Sequence, residues 1–328
     1  MVKGVFGVRR SAFVAGLLAL ISTGGGPTEA QQAVLGALGR HLWGMTDDEV
    51  ARTRPMTAAE LSEQLVEVHD RRRFVQLAIV LAACCHPVSE AQSEAVAQYS
   101  DALGIGGPEL TVLAELQTEQ AEEVTADFVR FYDDYIPQLS EPSVRRGDGG
   151  AQAEAEALVA RVDELAECPE GSLGHAFLEF YRRNRLRLPT VQSPQPAYYV
   201  SHDMGHVIAG YEPTGQGEIA LGAFKVAVRD DDANWMAFMA NVLIHEVGLM
   251  KHGTSSQFVP YGGEIYPGHG GQGALRLPGA ADLLAEAFVR GGACTSDVTQ
   301  IDHLALVHLP LDEVRRRFNV TPLATPAS

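Results

Sequence analysis

Apolar residues come in long runs separated by short polar breaks. Ala12 to Ile21 is apolar throughout, and Phe74 to Cys85 is nearly so. Each run is followed by a turn-forming stretch, Gly24-Gly25-Gly26-Pro27 in one case and His86-Pro87 in the other. Thr28 and Ser89 come next, residues whose side-chain oxygens cap helix N-termini. Sliding the chain against itself by 61 positions places Phe13 on Phe74, Leu20 on Leu81, Glu29-Ala30-Gln31 on Glu90-Ala91-Gln92 and Leu42 on Leu103. The pattern predicts two copies of one unit, an apolar helix turning into a second helix. Neither hairpin can bury its apolar face alone, so the two are expected to pack together.

Further along, Glu109 to Tyr135 reads as a long acidic helix. Pro137 to Gly150, with two prolines and the string Arg146-Gly-Asp-Gly-Gly150, reads as a linker. Ala151 to Glu167 is helical by composition, Pro169-Glu-Gly171 is a turn, and Ser172 is expected to cap a helix running to about Leu186. Pro189 to Pro196 breaks the chain again. Few segments alternate with a period of two. The expectation is an all-α protein with a helical-hairpin domain over 1–136, a linker over 137–150 and a mainly helical domain over 151–328.

Composition narrows the function. The chain has 328 residues, 46% hydrophobic and 20% charged, enough for two cores and inconsistent with disorder. Its formal charge of −17 argues against nucleic acid as a partner and gives no attraction to anionic membranes. Between Asp101 and Glu170 lie 17 acidic residues against 4 arginines, read as solvated helix faces. Cys84, Cys85, Cys168 and Cys294 follow no disulfide or thiolate-zinc spacing, which suits a reducing compartment. Lys3, Arg9 and Arg10 before the first apolar run have the outline of a secretory signal. That run also belongs to the internal repeat, so a cytoplasmic location is expected.

The densest chemistry lies after the proline-rich break. In Ser201-His202-Asp203-Met-Gly-His206, the two histidines are four apart. On a helix they share a face with β-carbons about 6 Å apart, so two imidazoles can serve one ion. Asp203 is a third ligand or an acceptor that orients an imidazole. Gly210 ends that helix, Pro213 to Gly217 turns the chain, and Glu218 opens the next helix, which can return against His206. A histidine pair at this spacing arises often by chance; Asp203 and Glu218 make the metal reading the stronger one. Two nitrogens and two carboxylates suit zinc or a similar divalent ion better than magnesium or calcium. His245-Glu246 with His252 fails the zinc-protease spacing because Leu249 stands where a histidine is needed. An auxiliary ligand role is the most that cluster suggests. His269 lies in a glycine-rich loop, and Asp230-Asp231-Asp232 reads as a capping turn before Trp235.

Two resemblances extend this reading. The N-terminal repeat resembles the tellurite-resistance protein B-like helical domains. His202-Asp203-x-x-His206, then eleven residues, then Glu218, looks like the signature of the coenzyme Q biosynthesis protein 4 family. Gly171-Ser172-Leu173-Gly174 with Phe177-Leu178-x-Phe180, and the closing Pro310 to Phe318, are similar to that family's flanking segments. His175 and the Gly-rich stretch Tyr261 to Leu277 depart from the pattern. The resemblance implies a divalent ion held by His202, Asp203, His206 and Glu218. It further implies replacement of a ring carboxyl by hydroxyl on a polyprenylated aromatic quinone precursor. Other quinone-biosynthesis proteins and the inner face of a membrane are the implied surroundings. Two other classes compete. Ser201 to His206 also looks like the central helix of HD-domain phosphohydrolases, with His175 upstream and Asp230, Asp297 or Asp302 downstream. A non-catalytic lipid-binding scaffold with a structural ion would use the same four residues.

Overall fold

A computed structural model describes residues 9–107, 110, 133–144, 150–248 and 273–323. Most of the acidic segment Glu109–Tyr135, the string Arg146–Gly149, His252, His269 and most of Tyr261–Leu277 lie outside the described residues. Among the described residues the protein is all-α; regular structure is helical and pairing between extended segments is limited to one bridge, Ser172 with Pro310.

The repeat is present in space. Helices α1 (Arg10–Ile21) and α2 (Glu29–Trp43) form the first hairpin, and α5 (Val68–Ala83) and α6 (Glu90–Leu103) the second. Thr28 accepts from the Gln31 N–H and Ser89 from the Gln92 N–H, as the capping signals predict. Two short helices that the pattern does not reveal, α3 (Asp47–Ala51) and α4 (Ala58–Gln64), bridge the copies. Each carries a full capping box, Thr46 with Glu49 and Thr57 with Glu60, and these boxes were the available signal. The apolar run Ala12–Ile21 is a core helix, with Val14, Leu17, Leu20 and Ile21 buried. Phe13 meets Phe74, its counterpart in the other copy, edge to face at 5.8 Å.

The C-terminal half contains α7 (Ile136–Leu139), α8 (Gly150–Asp163), α9 (Leu173–Arg183), α10 (Pro196–Ala209), α11 (Gly215–Val228), α12 (Asp232–Val242), α13 (Ala280–Gly292) and α14 (Leu311–Phe318). A single π-helical turn, Leu243–Val247, continues α12. Among the described helices α11 and α13 pack on each other most extensively, and Gly291 helps explain why. A β-carbon there would lie 2.2 Å from the Phe224 carbonyl oxygen, so only glycine allows this approach. In the stretch expected as a linker, Glu141 is fully buried and accepts from the backbone N–H (3.0 Å) and Nδ1 (2.8 Å) of His303.

The two halves share one continuous apolar core. Among the described residues, ion-pair contacts across the seam have one polarity: cationic and imidazole groups from the repeat meet acids from the C-terminal half. Arg73, nearly fully buried, pairs with Asp230. The same carboxylate takes His69 Nε2 at 2.6 Å and Trp235 Nε1–H at 2.7 Å, and the Arg73 guanidinium lies 4.7 Å from the Trp235 ring centre. Arg40 and His41 reach Asp282 at 2.7 and 3.1 Å, and His86 Nε2 reaches the buried Glu246 at 2.7 Å. The expected capping turn is therefore split in role. Asp231 caps α12 by accepting from the Asn234 N–H, while Asp230 joins the halves.

Candidate metal centre

Helix α10 begins with Pro196, whose fixed φ suits a first helical turn, and ends at Gly210 in the left-handed conformation (φ 85°). Between them His202 and His206 stand one turn apart, with ring centres 4.8 Å apart. Helix α11 starts one turn earlier than the sequence suggested, at Gly215, capped by Thr214. Glu218 is therefore in its first full turn and points back across α10.

The donor atoms converge. Glu218 Oε2 lies 3.0 Å from His202 Nε2, Glu218 Oε1 lies 3.1 Å from His206 Nε2, and the two Nε2 atoms are 3.1 Å apart. Ligands held about 2.0–2.2 Å from one zinc-sized ion sit roughly 3 Å or slightly more from each other. The three residues fit such an ion. Asp203 offers a carboxylate oxygen within 4.8 Å of donor atoms on both imidazoles. Its Oδ2 accepts from the Tyr181 hydroxyl on α9. Its nearness to both rings supports either role, ligand or orienting acceptor.

Surrounding groups fix the rings. His206 Nδ1 lies 3.0 Å from the Tyr211 carbonyl oxygen, to which it must donate, leaving Nε2 toward Glu218. Phe180 stacks on the His206 ring at 5.5 Å. Asn241 donates to the Glu218 carbonyl oxygen at 2.9 Å, tying α12 to α11 beside the site.

Burial dominates the electrostatics. It lowers His202 to about 4 despite the nearby Glu218 and raises Asp203 to about 7, partly offset by His206 and Tyr181. Burial also opposes charge on Glu218 and His206, but their mutual attraction and hydrogen bond win. Glu218 is held well below the usual carboxylate range and His206 is raised. Without a metal, contact with Glu218 favours the protonated form of His206, while burial favours a neutral His202 imidazole at its side. Lys225, two turns further along the same face of α11, is buried and lowered to about 8, with burial outweighing Glu218 and Asp203. Gly205 makes room for it, since a β-carbon there would lie 3.1 Å from Lys225 Cε.

All four expected residues are in one place. Tyr181, Tyr211, Phe180 and Lys225 were not anticipated, because one sequence gives no signal for a carbonyl acceptor after a helix or an aromatic lid from another helix. The three acids of the phosphohydrolase reading each have an ion-pair partner. Asp230 joins the halves, Asp297 pairs with Arg229 at 3.2 Å, and Asp302 pairs with Arg161 at 3.1 Å. His245 and Glu246 lie on the π-helical turn near the start of α11 and are buried. Cys168, beside the Gly171-Ser172 turn, has a thiol raised by burial.

No protein-family model matches the chain, and no curated protein matches it. A solved structure from Nostoc punctiforme PCC 73102, a protein provisionally assigned to ubiquinone biosynthesis, is similar at 19% identity and a TM-score of 0.31. The match covers 75% of this chain and 97% of that one. The likeness is loose, and the chemistry below comes from this chain's own side chains.

Proposed function

We propose that the protein binds one divalent metal ion, zinc or a similar borderline ion, through His202, His206 and Glu218 with Asp203 as fourth ligand or orienting acceptor. The observation that carries the reading is Glu218, which reaches both Nε2 atoms from a separate helix at hydrogen-bond distance. When bound, the ion supplies a Lewis acid for a carboxylate or phenolic oxygen. The chain's residues do the rest. Tyr211 holds His206 in one orientation, Glu218 supplies negative charge, and the Asp203–Tyr181 pair holds a proton at the edge of the site.

The substrate we propose is a prenylated aromatic precursor of a quinone, as the sequence resemblance implies. Exchange of a ring carboxyl for hydroxyl converts the acid and water into a phenol, carbon dioxide, two protons and two electrons. A two-electron acceptor must therefore accompany the substrate. A lipid substrate implies contact with a membrane surface or with other quinone-biosynthesis proteins; no helix among the described residues is long and apolar enough to cross a membrane.

Plasma mass spectrometry on wild type, His206→Ala and Glu218→Ala, each checked for folding by circular dichroism, tests the reading. About one divalent ion per chain, absent from both folded variants, is the expected result. A folded wild type that takes up no ion under any divalent supplement overturns it. An ion retained without turnover of a prenylated hydroxybenzoate identifies the scaffold instead.

A further inference from the structure

We propose that Arg290, assisted by Arg315, is a positioning residue for His206, acting through the C-terminus of α10 and the Tyr211 carbonyl. The last carbonyls of a helix have no partners within it and collect its negative partial charge. In α10 these carbonyls belong to Val207, Ile208 and Ala209, directly after His206. Two guanidiniums from different helices take all three. Arg315 of α14 donates through Nε to the Ile208 oxygen at 3.0 Å and through an Nη to the Val207 oxygen at 3.1 Å. Arg290 of α13, itself buried, donates an Nη to the Ala209 oxygen at 2.6 Å and Nε to the Thr321 oxygen at 3.0 Å.

Arg290 also covers the residue that orients the imidazole. Its guanidinium lies 4.9 Å from the centre of the Tyr211 ring, close enough for attraction to the ring face. Tyr211 is 1% exposed, and its ring packs on Phe224. The chain reverses at Gly210, so the Tyr211 carbonyl faces back toward α10 and accepts from His206 Nδ1 at 3.0 Å. The guanidinium thus grips both sides of the reversal, Ala209 before it and the Tyr211 ring after it. Loss of that grip frees the Tyr211 carbonyl to move, and with it the proton that keeps Nε2 directed at Glu218.

The consequence for the ion rests on the metal reading above; the consequence for the His206 proton does not. Two measurements on the full chain separate them. Long-range nitrogen–proton NMR correlations on metal-free, 15N-histidine-labelled protein, taken above the pH at which His206 becomes neutral, report which His206 nitrogen carries hydrogen, with His206→Gln giving the assignment. Co(II) alone then serves as the probe of affinity and, through its visible bands, of ligand geometry. In Arg290→Met the His206 proton is expected to spread over both nitrogens. Co(II) affinity should fall by about 10–100-fold, the range for groups that orient a metal ligand, with altered bands. Arg315→Gln and Arg290→Lys should show the same changes to a smaller degree, and they decide the matter if Arg290→Met does not fold. Arg73→Met, which removes a buried guanidinium from the seam between halves, should lose stability while leaving both readouts at wild-type values.

Folded variants that keep the proton on Nδ1, or that move it and still bind Co(II) within about twofold of wild type, overturn the proposal. Wild type that binds no Co(II) overturns the metal reading; the nitrogen correlations still decide whether Arg290 fixes His206.

Discussion

Gln31 and Gln92, 61 positions apart and both fully buried, join side chain to side chain at 2.7 Å where the two helical hairpins meet. Each amide also reaches across to the other copy. Gln31 Nε2 donates to the Leu81 carbonyl at the end of α5 at 2.9 Å, and Gln92 Nε2 to the Ile21 carbonyl at the end of α1 at 2.9 Å. The repeat in sequence is thus a two-fold-like exchange in space, with each glutamine closing the other hairpin's first helix.

Removing one member of this pair takes from the other amide its side-chain partner and from a helix-end carbonyl one of its donors, both in a buried setting. Gln31→Leu and Gln92→Leu are each expected to cost about 1–3 kcal/mol, while the double variant costs less than the sum because the shared bond is lost once. Urea unfolding of the four proteins measures the coupling. Strict additivity would show that the glutamines act separately.

Two of the acids at the seam, Asp230 and Asp282, differ in burial, and that should decide their worth. Asp230→Ala strands Arg73, whose side chain is 4% exposed, and should cost about 3–5 kcal/mol. Asp282→Ala breaks contacts to Arg40, 38% exposed, and should cost under about 1 kcal/mol. Equal losses in thermal or denaturant unfolding would contradict this ordering.

Lys225 sets a pH dependence in the metal-free protein. Its folded value of about 8 lies below the ordinary 10.5, so between those limits the unfolded chain holds a proton that the folded chain lacks. The Lys225 contribution to unfolding free energy therefore rises with pH from 8 to 10.5, by at most about 3 kcal/mol, and is flat below 8. The difference between wild type and Lys225→Met, followed by thermal unfolding from pH 7 to 10, should show this slope. A difference independent of pH counts against a buried ammonium.

Metal uptake should release protons. His206 is raised by its contact with Glu218, so its imidazole holds a proton to higher pH than a free histidine and must give it up to become a ligand. Apparent affinity for zinc is expected to climb as pH rises through His206 titration and to level off above it. Calorimetry in buffers of different ionisation enthalpy reads the proton count directly. Zinc binding that releases no proton at pH 6.5 would mean that His206 is already neutral or is not a ligand.

The sequence alone determined the helical class, because period and capping are local. Apolar runs, Thr28 and Ser89 as caps, and Gly210 as a stop all act within a few residues. It also exposed the repeat, since Gln31 and Gln92 could be aligned without knowing that they touch. It grouped His202, Asp203, His206 and Glu218, because one helical turn and one short reversal are enough to bring them together. What it could not supply were partners from distant chain. The use of Asp230 as a tie to Arg73, the Tyr181 hydroxyl on Asp203, and the two arginines at the end of α10 depend on which helices pack side by side. That choice is made by shape, as at Gly291 where α13 can press on α11, and shape complementarity leaves no periodic trace in a single sequence.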